Sequence, residues 1–184
     1  LVGKDILRFH AVIWPAMLMA AGLELPRKVF AHGWLLVAGE KMSKSKLTGI
    51  APRDITDHFG VDAFRYYFLR AIPFGSDGSF SWEDMSARYT SELANDFGNL
   101  ASRLTAMIEK YCNGEIPDKT DGDYLAAALT ETVNSADRAM CKLDFQSGIV
   151  SILEFCKKVN GYVTEKEPWA LAKDPKNQKL LEEV

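Results

Sequence analysis

Two lysines, Lys41 and Lys44, stand in the string Lys41-Met42-Ser43-Lys44-Ser45, with Lys46 directly behind it. At average residue usage these five residues in a row turn up roughly once in a few million positions. Their chemistry is that of a mobile loop that sets ammonium groups against a nucleotide triphosphate. Small Ser43 and Ser45 let the backbone approach the phosphates, while Lys41, Lys44 and Lys46 supply positive charge. Preorganised cations aimed at charge that builds on a leaving group lower the barrier, and a loop lets them arrive late. The plain alternative is a solvated Lys/Ser turn, the usual fate of such composition.

Such a loop needs a frame, and the flanking pattern predicts one. Residues 5 to 21 carry a helical apolar period that Gly22 ends. Val29 to Val37 is a β-rich apolar run suited to a buried strand or hairpin, and Gly39-Glu40 turns it into the lysine loop. Leu1-Val2-Gly3 reads as the end of a strand running into the first helix. Pro52 opens a short helix that Gly60 closes, and a further helix over Asp62 to Ala71 places Phe64, Tyr67 and Phe68 on one face. Tyr66 joins these three in the expected core, and Phe80 and Trp82 are expected to staple the helix that follows.

Pro73 to Ser81, rich in Gly and Ser, reads as a connection, and Ser81 with Asp84 resembles a capping box. From there the sequence predicts only helices: one to about Tyr111, then about 123–142 and 145–165, with Pro168 in the first turn of a last one. After residue 81 the expected architecture is an antiparallel helical bundle. Before it, only one strand region is visible, whereas an α/β sheet needs several.

Composition narrows the class. The 184 residues are 47% hydrophobic and 26% charged, ordinary values for a globular protein, and a net charge of −3 gives no global basic field for nucleic acid. Any such contact must come from local basic groups. Cys112, Cys141 and Cys156 are far apart and lack zinc-site spacing, so they read as structural thiols of a reducing compartment. The apolar stretch Ala11 to Gly22 is too short to span a bilayer and lacks the start of a signal peptide.

His32-Gly33 and Gly39-Glu40-Lys41-Met42-Ser43-Lys44-Ser45 together resemble the second signature of class I aminoacyl-tRNA synthetases. Gly3-Lys4-Asp5-Ile6 with His10, Trp14-Pro15-Ala16, Asn99-Leu100-Ala101-Ser102-Arg103 and Pro168-Trp169 are similar to the methionyl family of that class. The resemblance covers nearly the whole chain. It implies a mainly α fold: over 1–80 the end of a Rossmann-type catalytic domain with few strands, and over 81–184 an incomplete α-helical anticodon-binding domain. It further implies ATP-dependent ligation of methionine to tRNA(Met) through methionyl-adenylate, with ATP and Mg2+, in the cytoplasm or alternatively the mitochondrial matrix.

Roles carry over position by position as implications of that resemblance. Lys44, supported by Lys41, contacts the ATP phosphates. Gly3 and Asp5 lie near the ribose, where a carboxylate can accept two hydrogen bonds from a diol, at a strand-to-helix turn of the kind that holds nucleotides. Read without the family, Asp5 is a helix N-terminal acid satisfying backbone N–H groups. Ile6 and His10, spaced i and i+4, share one helical face, and in the family that face lines the methionine pocket. A lone histidine on an apolar face otherwise reads as a satisfied core residue.

Asn99 and Arg103 are again i and i+4. Asn can pair with a base edge, and Arg offers a fork and a flat face. Trp169 adds a stacking plane, and in the family these three read the CAU anticodon. The bland alternative leaves Asn99 and Arg103 solvated and Trp169 in the core. His32 reads as structural, His58 as a helix-end cap, and Glu165-Lys166-Glu167 as a solvated charge run. No metal ligands are expected.

The family's other signature, a His-Ile-Gly-His-like tetrapeptide, is absent, as are the upstream aromatic residues of the methionine pocket and the insertion that carries zinc in some members. The expectation is therefore a fragment that is inactive alone and completed by an upstream part of the same enzyme, with zinc in the parent left open. Two other readings share features with it: a class I synthetase for another amino acid such as leucine, valine or cysteine, and a non-catalytic tRNA-binding helical module.

Overall fold

The structure is a computed structural model and describes residues 1–37, 40–42, 49–116 and 123–182. Strand β1 (Val2–Gly3) lies parallel to β2 (Ala31–His32), with Val2 opposite Ala31 and Gly3 opposite His32. A parallel pair needs a crossover, and the chain supplies it by turning helical at once. A 3-10 turn over Lys4–Ile6 leads to a π-helical stretch over Phe9–Ile13 and then α1 (Trp14–Ala20). Pro15, which has no N–H to donate, lies inside this continuous helical run directly behind the π-helical stretch. Gly22 then leaves the helix at φ +67°, a conformation that costs glycine little. Ile6, Phe9, Val12, Ile13, Met17 and Met19 along this segment are exposed.

The apolar run Val29 to Val37 does not form one strand. It splits between two sheets: β2 ends at His32, and β3 (Leu35–Val37) belongs to a second sheet of order β4-β3-β5. Strand β4 (Glu40–Lys41) pairs antiparallel to β3, with Leu36 opposite Lys41, which is the hairpin half of the expectation. The break falls at Gly33. A Cβ there would overlap the Ser76 carbonyl oxygen, so the chain passes the backbone of residues 76 and 77 too closely for any side chain. Gly33→Ala is accordingly expected to destabilise the protein by about 1–3 kcal/mol, the usual cost of forced overpacking. Urea denaturation of the variant measures it, and an unchanged midpoint would refute the close approach.

The other departure is β5 (Gly78–Phe80), which lies inside the stretch expected as a connection and pairs parallel to β3, with Leu36 opposite Ser79. Gly78 permits it, because the Ile72 side chain occupies the place a Cβ would take. Phe80 at its end is buried and meets Tyr67 edge-on at 5.6 Å. Buried with this pair in the first part are Ile55 of α2 (Pro52–Phe59), Ala63 of α3 (Val61–Arg70), which also carries Tyr67, and Met85. Asp54 accepts the Ala51 N–H at 3.1 Å at the start of α2, and Gly60 ends it at φ +83°.

Ser81 Oγ accepts the Asp84 N–H at 3.0 Å and so starts the long helix as expected. That helix comprises α4 (Trp82–Arg88), a π-helical stretch over Tyr89–Gly98 and α5 (Asn99–Tyr111). Helices α6 (Asp123–Cys141), α7 (Phe145–Lys166), α8 (Pro168–Leu171) and α9 (Gln178–Glu182) follow. At Gly148 a Cβ would lie 2.8 Å from Met140 Cε, so α6 and α7 approach closely there. Among the described residues of this part, Leu100, Leu153, Cys156, Val163 and Leu181 are buried. Burial raises the Cys156 thiol pKa above its ordinary value, which keeps it an inert packing group. By compactness the chain divides into Leu1–Met85 with Asp144–Gln146, and Ser86–Leu143 with Ser147–Val184.

Candidate functional site

In the first unit, Gly3 and His32 face each other at the carboxyl ends of two parallel strands, the edge at which open α/β sheets hold ligands. Asp5 follows in the 3-10 turn and is exposed. Its Oδ1 lies 2.5 Å from where a Gly3 Cβ would be, and His32 Cε1 lies 4.0 Å from the same point. Any side chain at Gly3 would therefore displace the Asp5 carboxylate, which ties these two residues into one site. Asp5 lies in the first turn of this short 3-10 helix, where a carboxylate also suits the helix N-terminus of the plain reading.

Lys4 is held elsewhere. Its Nζ donates to both carboxylate oxygens of Asp77 at 2.6 Å, and Asp77 Oδ1 also accepts the Trp34 N–H at 2.8 Å. The ammonium group stands 5.7 Å from the centre of the Trp34 ring. The hydrogen bond from Lys4, with that from the Trp34 N–H, holds the Asp77 carboxyl below its ordinary pKa. A carboxyl depressed in the folded state adds stability above the unfolded value, about 4, and loses it as pH falls through the folded one. Melting temperature followed from pH 6 to pH 3 should fall more for the unaltered protein than for Asp77→Asn. Parallel curves would contradict the contact. Because both side chains are exposed, the effect is a small one.

His10 donates from Nδ1 to the Ile6 carbonyl oxygen at 3.0 Å, since a carbonyl only accepts. In the neutral ring this leaves Nε2 as the unprotonated nitrogen. The ring meets Phe9 and Trp14 edge-on at 5.7 and 6.0 Å. Ile6 and His10 are thus brought together, with Ile6 exposed. His32 donates to the Gly33 carbonyl at 3.0 Å and stacks on Phe74, which itself stacks on Phe30 at 4.9 Å. His58 lies in the last turn of α2 and donates to the Asp54 carbonyl at 2.8 Å. Lys41 lies on β4, while Lys44, Ser43 and Ser45 fall outside the described residues.

In the second unit, Asn99 and Arg103 are exposed one turn apart on α5. The Arg103 guanidinium carbon stands 6.0 Å from the centre of the Trp169 ring, a cation–π distance. Trp169 is 37% exposed, so part of its surface is open to solvent, whereas Pro168 beside it is buried. Glu167 reaches φ +46° before α8, so the expected charge run also contains the sharp turn that presents Trp169.

Asn160 of α7 was not evident in the sequence. Its Oδ1 accepts from Arg103 Nη1 at 3.4 Å and its Nδ2 donates to the Asp96 carbonyl at 3.5 Å. Asp96 in turn pairs with Lys157 at 3.8 Å. Asn inside a predicted helix signals only weak propensity, so nothing in the pattern singled it out. Among the described residues, no group of three or more His, Cys, Asp or Glu is placed to hold a metal ion. No helix among them is long and apolar enough to cross a membrane.

The parallel strand edge at Gly3 and His32 and the hairpin bearing Lys41 fit the class I synthetase type. Residues 1–105 match the family model described as tRNA synthetases class I (M), and the chain belongs to that family. It is 68% identical over 179 residues to the methionine–tRNA ligase of Streptomyces coelicolor, covering 95% of this chain and 33% of that protein. It is 48% identical to that of Caldanaerobacter subterraneus subsp. tengcongensis, covering 95% of this chain and 28% of the relative. Among solved structures, Mycobacterium tuberculosis methionyl-tRNA synthetase bound by methionyl-adenylate superposes with a TM-score of 0.90 at 38% identity, over 98% of this chain and 37% of that one. The free-state structure of the same enzyme gives 0.86 at 35% identity, over 99% of this chain and 36% of that one. The chain thus spans about a third of the length of these relatives.

Proposed function

We propose that the chain is the late catalytic part and the tRNA-reading part of a methionine–tRNA ligase, working in the cytoplasm on methionine, ATP with Mg2+, and tRNA(Met). In the first step the methionine carboxylate oxygen bonds to the α-phosphorus of ATP, and the bond from that phosphorus to the pyrophosphate oxygen breaks. Lys44, supported by Lys41, neutralises the charge that develops on the departing pyrophosphate. Asp5 accepts hydrogen bonds from the ribose diol across Gly3, Ile6 packs against the methionine side chain, and the His10 ring lies near its thioether. Methionine then passes from the adenylate to tRNA, and AMP leaves.

Residues 1–80 are assigned to catalysis and 81–184 to an anticodon-binding helical domain. The observation that carries this reading is the guanidinium of Arg103 lying over an exposed Trp169, with Asn99 one turn away. A flat cation on an open indole, beside an amide, suits an unstacked base whose face is stacked and whose edge is read. Relatives named for the same activity, and a neighbour bound by methionyl-adenylate, support it further.

The test is charging by the full-length polypeptide of tRNA with a CAU anticodon and of the same tRNA with the first anticodon base replaced. A loss of kcat/KM of tenfold or more upholds the reading, and equal charging removes the anticodon assignment.

A further inference from the structure

We infer that Asp77 is a positioning residue for the nucleotide, tying the Gly3-Lys4-Asp5 turn to the strand that feeds the lysine hairpin. The inference rests on the ribose role given above to Asp5.

Three chain segments meet on this one carboxylate. Lys4, between the two ribose-site residues, donates to both of its oxygens at 2.6 Å. Trp34, which immediately precedes β3, donates its backbone N–H to Oδ1 at 2.8 Å. Asp77 itself immediately precedes β5, where the Gly78 N–H donates to the Trp34 carbonyl at 3.0 Å. The carboxylate thus extends the β3–β5 ladder by one acceptor and clamps it to the turn after β1. Gly33 lets this happen, because its missing Cβ leaves room for the backbone at Ser76 and Asp77.

Two consequences follow for the site. Strands β1 and β2 form one sheet and β3, β4 and β5 another, so the contacts of Asp77 bridge the two. The turn bearing Asp5 and the hairpin bearing Lys41 are held in one frame, although they come from different sheets. Asp77 also engages the Lys4 ammonium group, which otherwise stands one residue from the Asp5 carboxylate and would compete with a ribose diol for it. A short, doubly accepted contact suits positioning more than stability, because an exposed pair adds little to folding.

The experiment compares ATP with 2′-deoxy-ATP in pyrophosphate exchange, using the full-length polypeptide unaltered and as Asp5→Asn, Asp77→Asn and Lys4→Met. Asp77→Asn retains an acceptor for the Trp34 N–H and removes only the charge pair. The expected result is a KM for ATP raised about tenfold in Asp77→Asn and in Lys4→Met, with preference for ATP over 2′-deoxy-ATP reduced in both and KM for methionine unchanged. The double variant should be no worse than either single one, as for two residues acting through one contact.

If Asp5→Asn leaves that preference intact, the ribose reading fails and the inference falls with it. If Asp5→Asn abolishes the preference while Asp77→Asn and Lys4→Met keep it, Asp5 stands and the role of Asp77 is overturned. Should Asp77→Asn fold poorly, Lys4→Met removes the same pair from the other end and decides alone.

Discussion

Lys44→Ala in the full-length polypeptide slows ATP–pyrophosphate exchange by about a hundredfold, the loss expected when one preorganised contact to transition-state charge is removed. On the proposed role the contact forms as pyrophosphate departs, so kcat and kcat/KM fall together while KM for methionine holds. Lys41 offers a second ammonium group three residues earlier, on a strand fixed by its pairing with Leu36. An unchanged exchange rate in Lys44→Ala would return the string to a solvated turn.

Trp169→Ala lowers kcat/KM for tRNA by about 10- to 100-fold, since a base–aromatic stack contributes about 1–3 kcal/mol and each 1.4 kcal/mol is about tenfold. Pyrophosphate exchange is left untouched, because no step of adenylation involves the residue. At 37% exposure most of the residue is still covered, so the melting temperature falls as well, while exchange by the folded protein holds. Removing the indole also removes the surface beneath Arg103, whose guanidinium keeps the Asn160 bond at a long 3.4 Å. Exchange and melting temperature falling together with charging would identify Trp169 as a packing residue and end its assignment to the anticodon.

Much of this architecture was legible in the sequence because helices announce themselves at both ends. Gly22 and Gly60 stop helices at positive φ, and Ser81 caps the long helix through the Asp84 N–H. The strands were harder to read, since most are two or three residues long and carry no period. Gly78–Phe80 looked like a connection because glycine and serine dominate it. What makes it a strand is distant: the Leu35–Val37 partner and the Ile72 side chain filling the glycine's space. The division of Val29 to Val37 likewise depends on a contact between Gly33 and residues far along the chain.

Residues of the candidate site divide in the same way. Ile6 with His10, and Asn99 with Arg103, could be paired from spacing alone, although π-helical stretches lie over His10 and just before Asn99. The meeting of Arg103 with Trp169 spans most of the second unit, and only the family resemblance suggested it. Asp77 and Asn160 had no signal at all. Each works through a backbone or side-chain partner far away in sequence, and neither residue type is unusual where it stands.

The central claim is tested most directly by ATP–pyrophosphate exchange on the full-length polypeptide, with methionine, leucine, valine and cysteine compared in parallel. Exchange stimulated by methionine alone is the predicted result. Exchange with none of the four from a folded full-length protein, or stimulated by another amino acid in place of methionine, would contradict it.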